Sequence, residues 1–364
     1  MNTLEVLQHI ATLQVKERSQ YYPKGLFPSQ RYHYILPYKR EDSNIYFSAI
    51  TAYTLKSLLP FLEKEEQIIA QKIINEVVQN YPNYRGKKDK STFNFYQTHP
   101  LHHFPNGIFL SRFKHFAVAE DTDVTAMVVM SQKEPLNTQE KEHLQQLFNS
   151  FANLKRKKAV HSKPPYNELE AYGIWLGTGK MPVELDLCVI TNILLLAKQY
   201  NWKEDEVMKA SFDFIIKAIE SNDYLYDSFS VSYIYPNPIV ILYHITRLMV
   251  NYDYDNLNSL RRKLIKDAKK LINKDLSFIE RILLSTSLLR LKKNPDLQIN
   301  ISNYDYKLNP LSLFCAPILS GTNSKLLNTF AKNSFFHIQY NCEAYNWVLL
   351  LENLILNEKA NEQY

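Results

Sequence analysis

Apolar residues recur along this chain in two distinct ways. In segments 45–59, 123–131, 183–198, 238–250, 276–291 and 343–356 they fall on nearly every side of a helix, at three- and four-residue spacing. A helix that is apolar all round has to be buried all round. Between these lie 63–80, 138–157, 204–221 and 256–273, where an apolar stripe opposes a face of Lys and Glu. That is the pattern of a helix with one side in water. Six buried helices alternating with charged ones predict an all-α fold, an (α/α)6 toroid of six inner and about six outer helices in one domain over residues 1–364. An open α-solenoid is the alternative. Only four outer helices are readable, and 294–332 has no clear period.

Composition narrows the chemistry. Seven glycines in 364 residues leave little for phosphate-cradling loops, and neither GxGxxG nor GxxxxGK[ST] occurs, so dinucleotide-binding and P-loop folds are excluded. The net charge of +6 is dispersed. Its clusters, Lys87-Lys88-Asp89-Lys90 and Lys155-Arg156-Lys157-Lys158, lack interleaved aromatics, so they read as solvated charge and no nucleic-acid partner is expected. Met1-Asn2-Thr3-Leu4-Glu5 begins no basic stretch followed by an apolar one, so no signal peptide is expected. The run from Val189 to Ala197 is broken by Thr191 and Asn192, and no other stretch is apolar enough to span a bilayer. Cys188, Cys315 and Cys342 are too scattered for a disulfide framework. A cytoplasmic protein is expected, with peripheral membrane contact through an apolar patch left open.

Several predicted inner helices begin alike. Glu41-Asp42-Ser43-Asn44, Glu120-Asp121-Thr122-Asp123 and Glu184-Leu185-Asp186 place acidic or hydroxyl residues just before the apolar run. Such residues cap helices and suit the positive end of the helix dipole, and Asp42 reads as a plain cap. In a toroid these starts open on one end of the central cavity, so Asp42, Asp121 and Asp186 are expected together there.

The stretch Asp121-Thr122-Asp123-Val124-Thr125-Ala126-Met127-Val128-Val129 resembles the DxDD(T/S)A segment of class II terpene cyclases, the squalene–hopene cyclase group. In that family the motif opens an inner helix of an (α/α)6 toroid, and its middle aspartate protonates an isoprenoid double bond or epoxide. The resemblance implies Asp123 as the acid, Asp121 as its supporting carboxylate and Thr125 as the following hydroxyl. Val124 departs from the family's last aspartate, a position that also varies in related cyclases with DxDTT. The glycine- and tryptophan-containing QW repeats are missing.

Such an acid has to stay protonated near neutral pH. A second carboxylate and burial raise a carboxyl pKa, whereas a helix N-terminus lowers it. A carbocation also needs aromatic walls that exclude water. Candidates near the inner helices are Phe95 and Tyr96, Tyr172 and Trp175, Tyr233 and Tyr235, and Tyr345 and Trp347. The segment from Ser91-Thr92-Phe93-Asn94-Phe95-Tyr96 through Phe104-Pro105-Asn106-Gly107 reads as a long aromatic loop leading toward Asp121, with Asn94, Phe95 and Tyr96 as pocket residues.

Other constellations carry less. No Asp-Asp pair exists, so the DDxxD magnesium chemistry of class I terpene enzymes is out, and no cofactor is implied. His99, His102 and His103 lack partners at ligand spacing and read as loop residues. Asp186-Leu187-Cys188 with His244 is similar to the zinc set of protein prenyltransferase β subunits, but Cys188 on an apolar helix reads as a core residue and no metal is expected. Two functions remain in view. One is an acid-initiated cyclase or isomerase acting on a linear isoprenoid. The other is a non-catalytic toroid that binds a hydrophobic or saccharide ligand, or a protein partner. A carbohydrate-processing variant would pair Asp121 with Asp186.

Overall fold

The computed structural model describes residues 1–87, 89–101, 119–159, 162–176, 182–295, 297, 299–308, 310–319 and 325–362. Most of the described chain is helical. The long helices are α1 (Thr3–Leu13), α2 (Tyr46–Leu58), α3 (Lys64–Val78), α4 (Thr122–Ser131), α5 (Thr138–Ser150), α6 (Leu187–Gln199), α7 (Glu206–Glu220), α8 (Pro238–Met249), α9 (Arg261–Ile272), α10 (Phe278–Arg290) and α11 (Glu343–Glu362).

The two sequence patterns part as their polarity requires. Every residue of α4 is buried, and so is the run from Ile239 to Met249 in α8. By contrast α3 buries only Ala70, Ile73, Ile74 and Val77, a single stripe at helical spacing. The buried helices contact one another in a cycle: α2 on α4, α4 on α6, α6 on α8, α8 on α10, α10 on α11, and α11 back on α2. Amphipathic helices pack outside them, α3 on α2, α7 on α6, and α9 on α10 and α8. One helix was not read from the sequence at all. The N-terminal α1 packs on α11 and α3, beside the last buried helix of the chain. A capping box starts it, in which the Asn2 side chain accepts from the Glu5 amide and the Glu5 carboxylate accepts from the Asn2 amide.

The all-α expectation is corrected by a four-stranded antiparallel sheet in the order β2-β1-β4-β3, with β1 Ser29–Tyr32, β2 Lys39–Asp42, β3 Phe314–Pro317 and β4 His337–Asn341. Strands of four or five residues are too short to declare a two-residue period, and β3 lies in the stretch that showed no pattern. The sheet joins the two ends of the chain, pairing Gln30 with Asn341, Arg31 with Tyr340 and Tyr32 with Gln339. Its ring-facing side carries Phe314, stacked on Phe47 of α2 at 5.1 Å and on Tyr340 of β4 at 4.8 Å. One hydrophobic cluster runs through the helices and the sheet from Val6 to Ile355.

Candidate active site

Short extended segments precede the buried helices and are laced to one another by backbone hydrogen bonds. The Ile45 amide donates to Phe95 O at 3.1 Å, Asp121 to Phe93 O at 3.1 Å, Thr122 to Ile174 O at 2.8 Å and Ile174 to Glu184 O at 3.1 Å. Asp186 bridges Ser232, and the Cys315 amide of β3 donates to Ile234 O at 2.8 Å. This lacing holds the starts of α2, α4, α6 and α8 at one end of the cycle, where the sheet also lies.

Asp121 caps α4. Its Oδ1 accepts from the amides of Asp123 at 2.7 Å and Val124 at 3.0 Å. Asp123 sits one step inside. Its Oδ1 accepts from Asn192 Nδ2 of α6 at 2.6 Å, and its Oδ2 accepts from the Tyr235 hydroxyl at 2.6 Å. Tyr235 in turn shares a hydrogen bond of 2.6 Å with Tyr46 at the start of α2. Behind Asn192, Arg247 of α8 donates through Nη2 to the amide oxygen. Three inner helices and one loop thus converge on one carboxyl.

The pair forms part of the wall of a cavity of about 460 Å³. Its other walls are mostly aromatic, with Tyr46, Phe95, Tyr96, Trp175, Tyr233, Tyr235, Phe314 and Tyr340 among them. A third carboxyl, Glu184, also lines it and accepts from Trp175 Nε1 at 2.6 Å and from the Tyr233 hydroxyl. A larger cleft of about 630 Å³ lies across β3, sharing Phe314 and Cys315, and its lining is more polar. The smaller cavity is the candidate site, because it alone of the two holds the carboxyl pair.

Burial sets the electrostatics. The Asp121 carboxyl is pushed up to about 7, first by loss of water and then by the charge of Asp123, against the pull of the two backbone amides. Asp123 is also raised by burial, and hydrogen bonds from Tyr235, Asn192 and Tyr46 together with the Arg247 charge oppose the rise. Burial likewise holds Tyr46, Tyr233 and Tyr235 far above the usual phenol range, so they are neutral donors.

Of the residues expected in the pocket, Asp121, Asp123, Phe95, Tyr96, Trp175, Tyr233 and Tyr235 line the cavity. The others do not, and the geometry says why. Thr125 turns back to Asp121 O at 2.6 Å and accepts from the Phe93 amide at 3.0 Å, which fixes the loop. Asn94 is buried and its side-chain oxygen accepts from the Tyr96 amide at 3.0 Å. Tyr172 packs toward Trp202 at 6.5 Å and its amide donates to Ser211 of α7, because residues three apart in extended backbone face opposite ways and Trp175 takes the inward one. Trp347 meets His9 of α1 at 4.5 Å and Tyr304 at 5.1 Å, on the outer side of α11. Tyr345, two positions earlier and so on another face of that helix, is buried within the ring near Phe47 at 6.3 Å.

Asp186 is fully buried and its oxygens are committed. Oδ1 accepts from the Cys188 amide at 2.9 Å and Ser232 Oγ at 2.8 Å, and Oδ2 from the Ile234 amide at 2.9 Å. It does not line the cavity, so it offers Asp121 no partner for a two-carboxylate glycosidase. Burial, opposed by these donors, raises it to about 7. The reading of Asp42 as a helix cap is also corrected. It ends β2, accepts from the Tyr96 hydroxyl at 2.9 Å and Asn44 Nδ2 at 2.6 Å, and Asn44 supplies the side-chain bond to the Phe47 amide at 3.1 Å.

Among the described residues no group of three His, Cys, Asp or Glu is placed to hold a metal ion. His244 turns Nδ1 to Val240 O of its own helix at 2.8 Å, and the Cys188 thiol lies 3.6 Å from Ser232 Oγ. His99 is exposed, whereas His102, His103 and the loop segment from Phe104 to Gly107 lie outside the described residues. Also among the described residues, no helix is long and apolar enough to cross a membrane.

Sequence reasoning missed Tyr46, Glu184, Asn192, Arg247, Phe314 and Tyr340 as site residues. Asn192 and Arg247 did carry a signal. Each is a polar side chain in the middle of an otherwise apolar helix, and such a residue needs a buried partner. Phe314 and Tyr340 had none, since their place depends on strand pairing between distant segments.

Comparison with protein-family models, with curated proteins and with solved structures finds no match for this chain. What defines its class is therefore the fold and the site alone: a mostly helical protein with a cycle of buried helices, a small antiparallel sheet and a buried carboxyl pair on an aromatic cavity.

Proposed function

We propose that the chain is an (α/α)6 toroid of the class II terpene cyclase kind, and that its Asp121–Asp123 pair starts the cyclisation or isomerisation of a linear isoprenoid. The observation that carries this reading is a buried carboxyl pair on the wall of an aromatic cavity of about 460 Å³. The proton adds to one carbon of an alkene, leaving a carbocation on its neighbour. The faces of Trp175, Phe95 and Phe314 stabilise that charge, and loss of a proton from an adjacent carbon restores neutrality. The product is an isomer of the same mass, so no oxidant or co-reactant enters. The apolar walls favour a hydrocarbon chain over a sugar, which would call for more exposed amides and guanidinium groups.

The test is incubation with a panel of linear isoprenoids, free and as diphosphates, with mass-spectrometric detection of cyclic or double-bond isomers. Turnover is expected from the wild type. Asp121→Asn, which keeps the helix cap, and Asp123→Asn are each expected to lower the rate by at least about 10²-fold, the lower range for lost general acid catalysis. A panel without turnover overturns the enzyme and favours a toroid that only binds its ligand.

A further inference from the structure

We infer that Asp121, and not Asp123, is the carboxyl that holds the transferable proton, because Arg247 acts through Asn192 to keep Asp123 ionised. This rests on the reading above that the pair supplies an acid, and it reverses the roles that the resemblance implies.

Among the described residues no carboxylate forms an ion pair with the buried Arg247. Arg247 is only 5% exposed, and among the described residues its Nε and Nη1 have no hydrogen-bond partner. It lies against Tyr53 and Tyr243, with its guanidinium carbon 5.7 and 5.6 Å from their ring centres. The other buried arginine of the ring, Arg290, is ion-paired with Glu352, whose second oxygen accepts from Tyr243 at 2.7 Å. That carboxylate is therefore taken. An uncompensated buried cation is strongly unfavourable. The carboxyl that reaches Arg247 through a single side chain is Asp123, by way of Asn192.

The direction of that link is fixed by chemistry. A guanidinium only donates, so the Asn192 atom facing Arg247 has to be the amide oxygen, and the N–H group then faces Asp123 Oδ1. An amide N–H cannot accept a proton from a carboxylic acid. Oδ1 is thereby reserved as an acceptor, and Oδ2 faces the Tyr235 hydroxyl, itself bonded to Tyr46. Each of these donors stabilises the carboxylate. Of the other groups near Asp123, the Asp186 carboxyl opposes this by its charge, while its own oxygens are held by Ser232 and backbone amides. The Tyr46 and Tyr235 phenols and the Cys188 thiol are held neutral by burial, and His244, 5.4 Å from the Tyr235 ring, is held neutral by burial and by Arg247.

Asp121 has the opposite surroundings. Two backbone amides bind Oδ1, and no described residue donates to Oδ2, which belongs to a side chain on the cavity wall. The charged groups it faces are Asp123 and Asp186, with the Tyr233 phenol near it and Glu184 on the same wall. Two carboxylates this close do not both ionise, and the proton settles on the one with fewer donors. Burial and the Asp123 charge move Asp121 the same way, to about 7.

The test needs no substrate, so it stands apart from the fate of the proposed reaction. Protein labelled with ¹³C at the aspartate carboxyls is titrated by NMR, with Asp186 assigned through its own Asn variant. A carboxyl titrating near pH 7 is expected in the wild type. It should vanish in Asp121→Asn, which keeps the helix cap, and shift to lower pH in Asp123→Asn, which removes the like charge. In Arg247→Met the titration of Asp123 should move further up, whereas Arg247→Lys, which keeps the cation, should hold it below that of Asp121. The assignment is overturned if the neutral titration is lost in Asp123→Asn and unchanged in Asp121→Asn, or if neither arginine variant moves Asp123.

Discussion

Asp42 illustrates how a single buried carboxyl couples stability to pH. Both its oxygens accept, from Tyr96 and from Asn44, and burial raises it to about 6 despite those bonds and the charge of Arg31. In Asp42→Asn the single O–H of the protonated carboxyl gives way to an NH2 group with two hydrogens to place among donors. A loss of about 1–3 kcal/mol is expected at pH 5, the typical penalty for a buried polar group left unsatisfied. The sign of the pH dependence follows from the raised folded value. The folded state holds the proton more tightly than the unfolded chain, so the stability from this group is full below the unfolded pKa and is lost as pH rises through about 6. The gap between wild type and variant should therefore narrow between pH 5 and pH 8. Urea denaturation at both pH values measures it, and a gap that widens with pH would contradict the burial-driven shift.

At the scale of elements, the ends of helices do more than the middles. The capping aspartates of α4 and α6 satisfy free amides and also bring their carboxyl groups to one end of the ring. The backbone lacing of the preceding segments then decides which side chains face inward. The N-terminal α1 shows the other role of an element, that of cover. It buries Val6, Leu7 and Ile10 against the core, although it stands at a chain end where fraying is usual. Ile10→Ala is expected to cost about 2–5 kcal/mol, the range for a large aliphatic residue removed from a packed core. A frayed helix would lose far less. Thermal unfolding of the variant distinguishes the two.

For the molecule as a whole, the sheet is what turns an end of the helical ring into a walled site. Phe314 touches Tyr46, Phe47, Tyr235 and Tyr340, and so ties β3 to α2, to the approach to α8 and to β4. Removing it should be felt twice. Phe314→Ala is expected to destabilise by about 3–5 kcal/mol, the usual cost of deleting a buried aromatic ring. It should also join the aromatic cavity to the polar cleft, because Phe314 lines both. Calorimetry reads the first effect, and loss of protection of the cavity tyrosines from aqueous quenchers reads the second.

The buried and the amphipathic helices were legible in the chain because each rests on local physics, whereas the plain cap was read at Asp42 and is found at Asp121 and Asp186. A residue's neighbours at three and four positions determine whether a helix face is dry, and a cap acts within three residues of itself. Asp121 and Asp123 meet Phe95, Tyr96, Trp175 and Tyr235 at one cavity because the segments before the buried helices are laced together there. The sheet, the Asn192–Arg247 link and the outward turns of Tyr172 and Trp347 were decided by the tertiary structure alone. Each depends on a partner far away in sequence, β4 for β1, α6 and α8 for Asp123, and Trp202 and α1 for the two aromatic rings. A local pattern reports that a polar group inside an apolar helix needs a partner. Which group answers it depends on how the chain closes on itself.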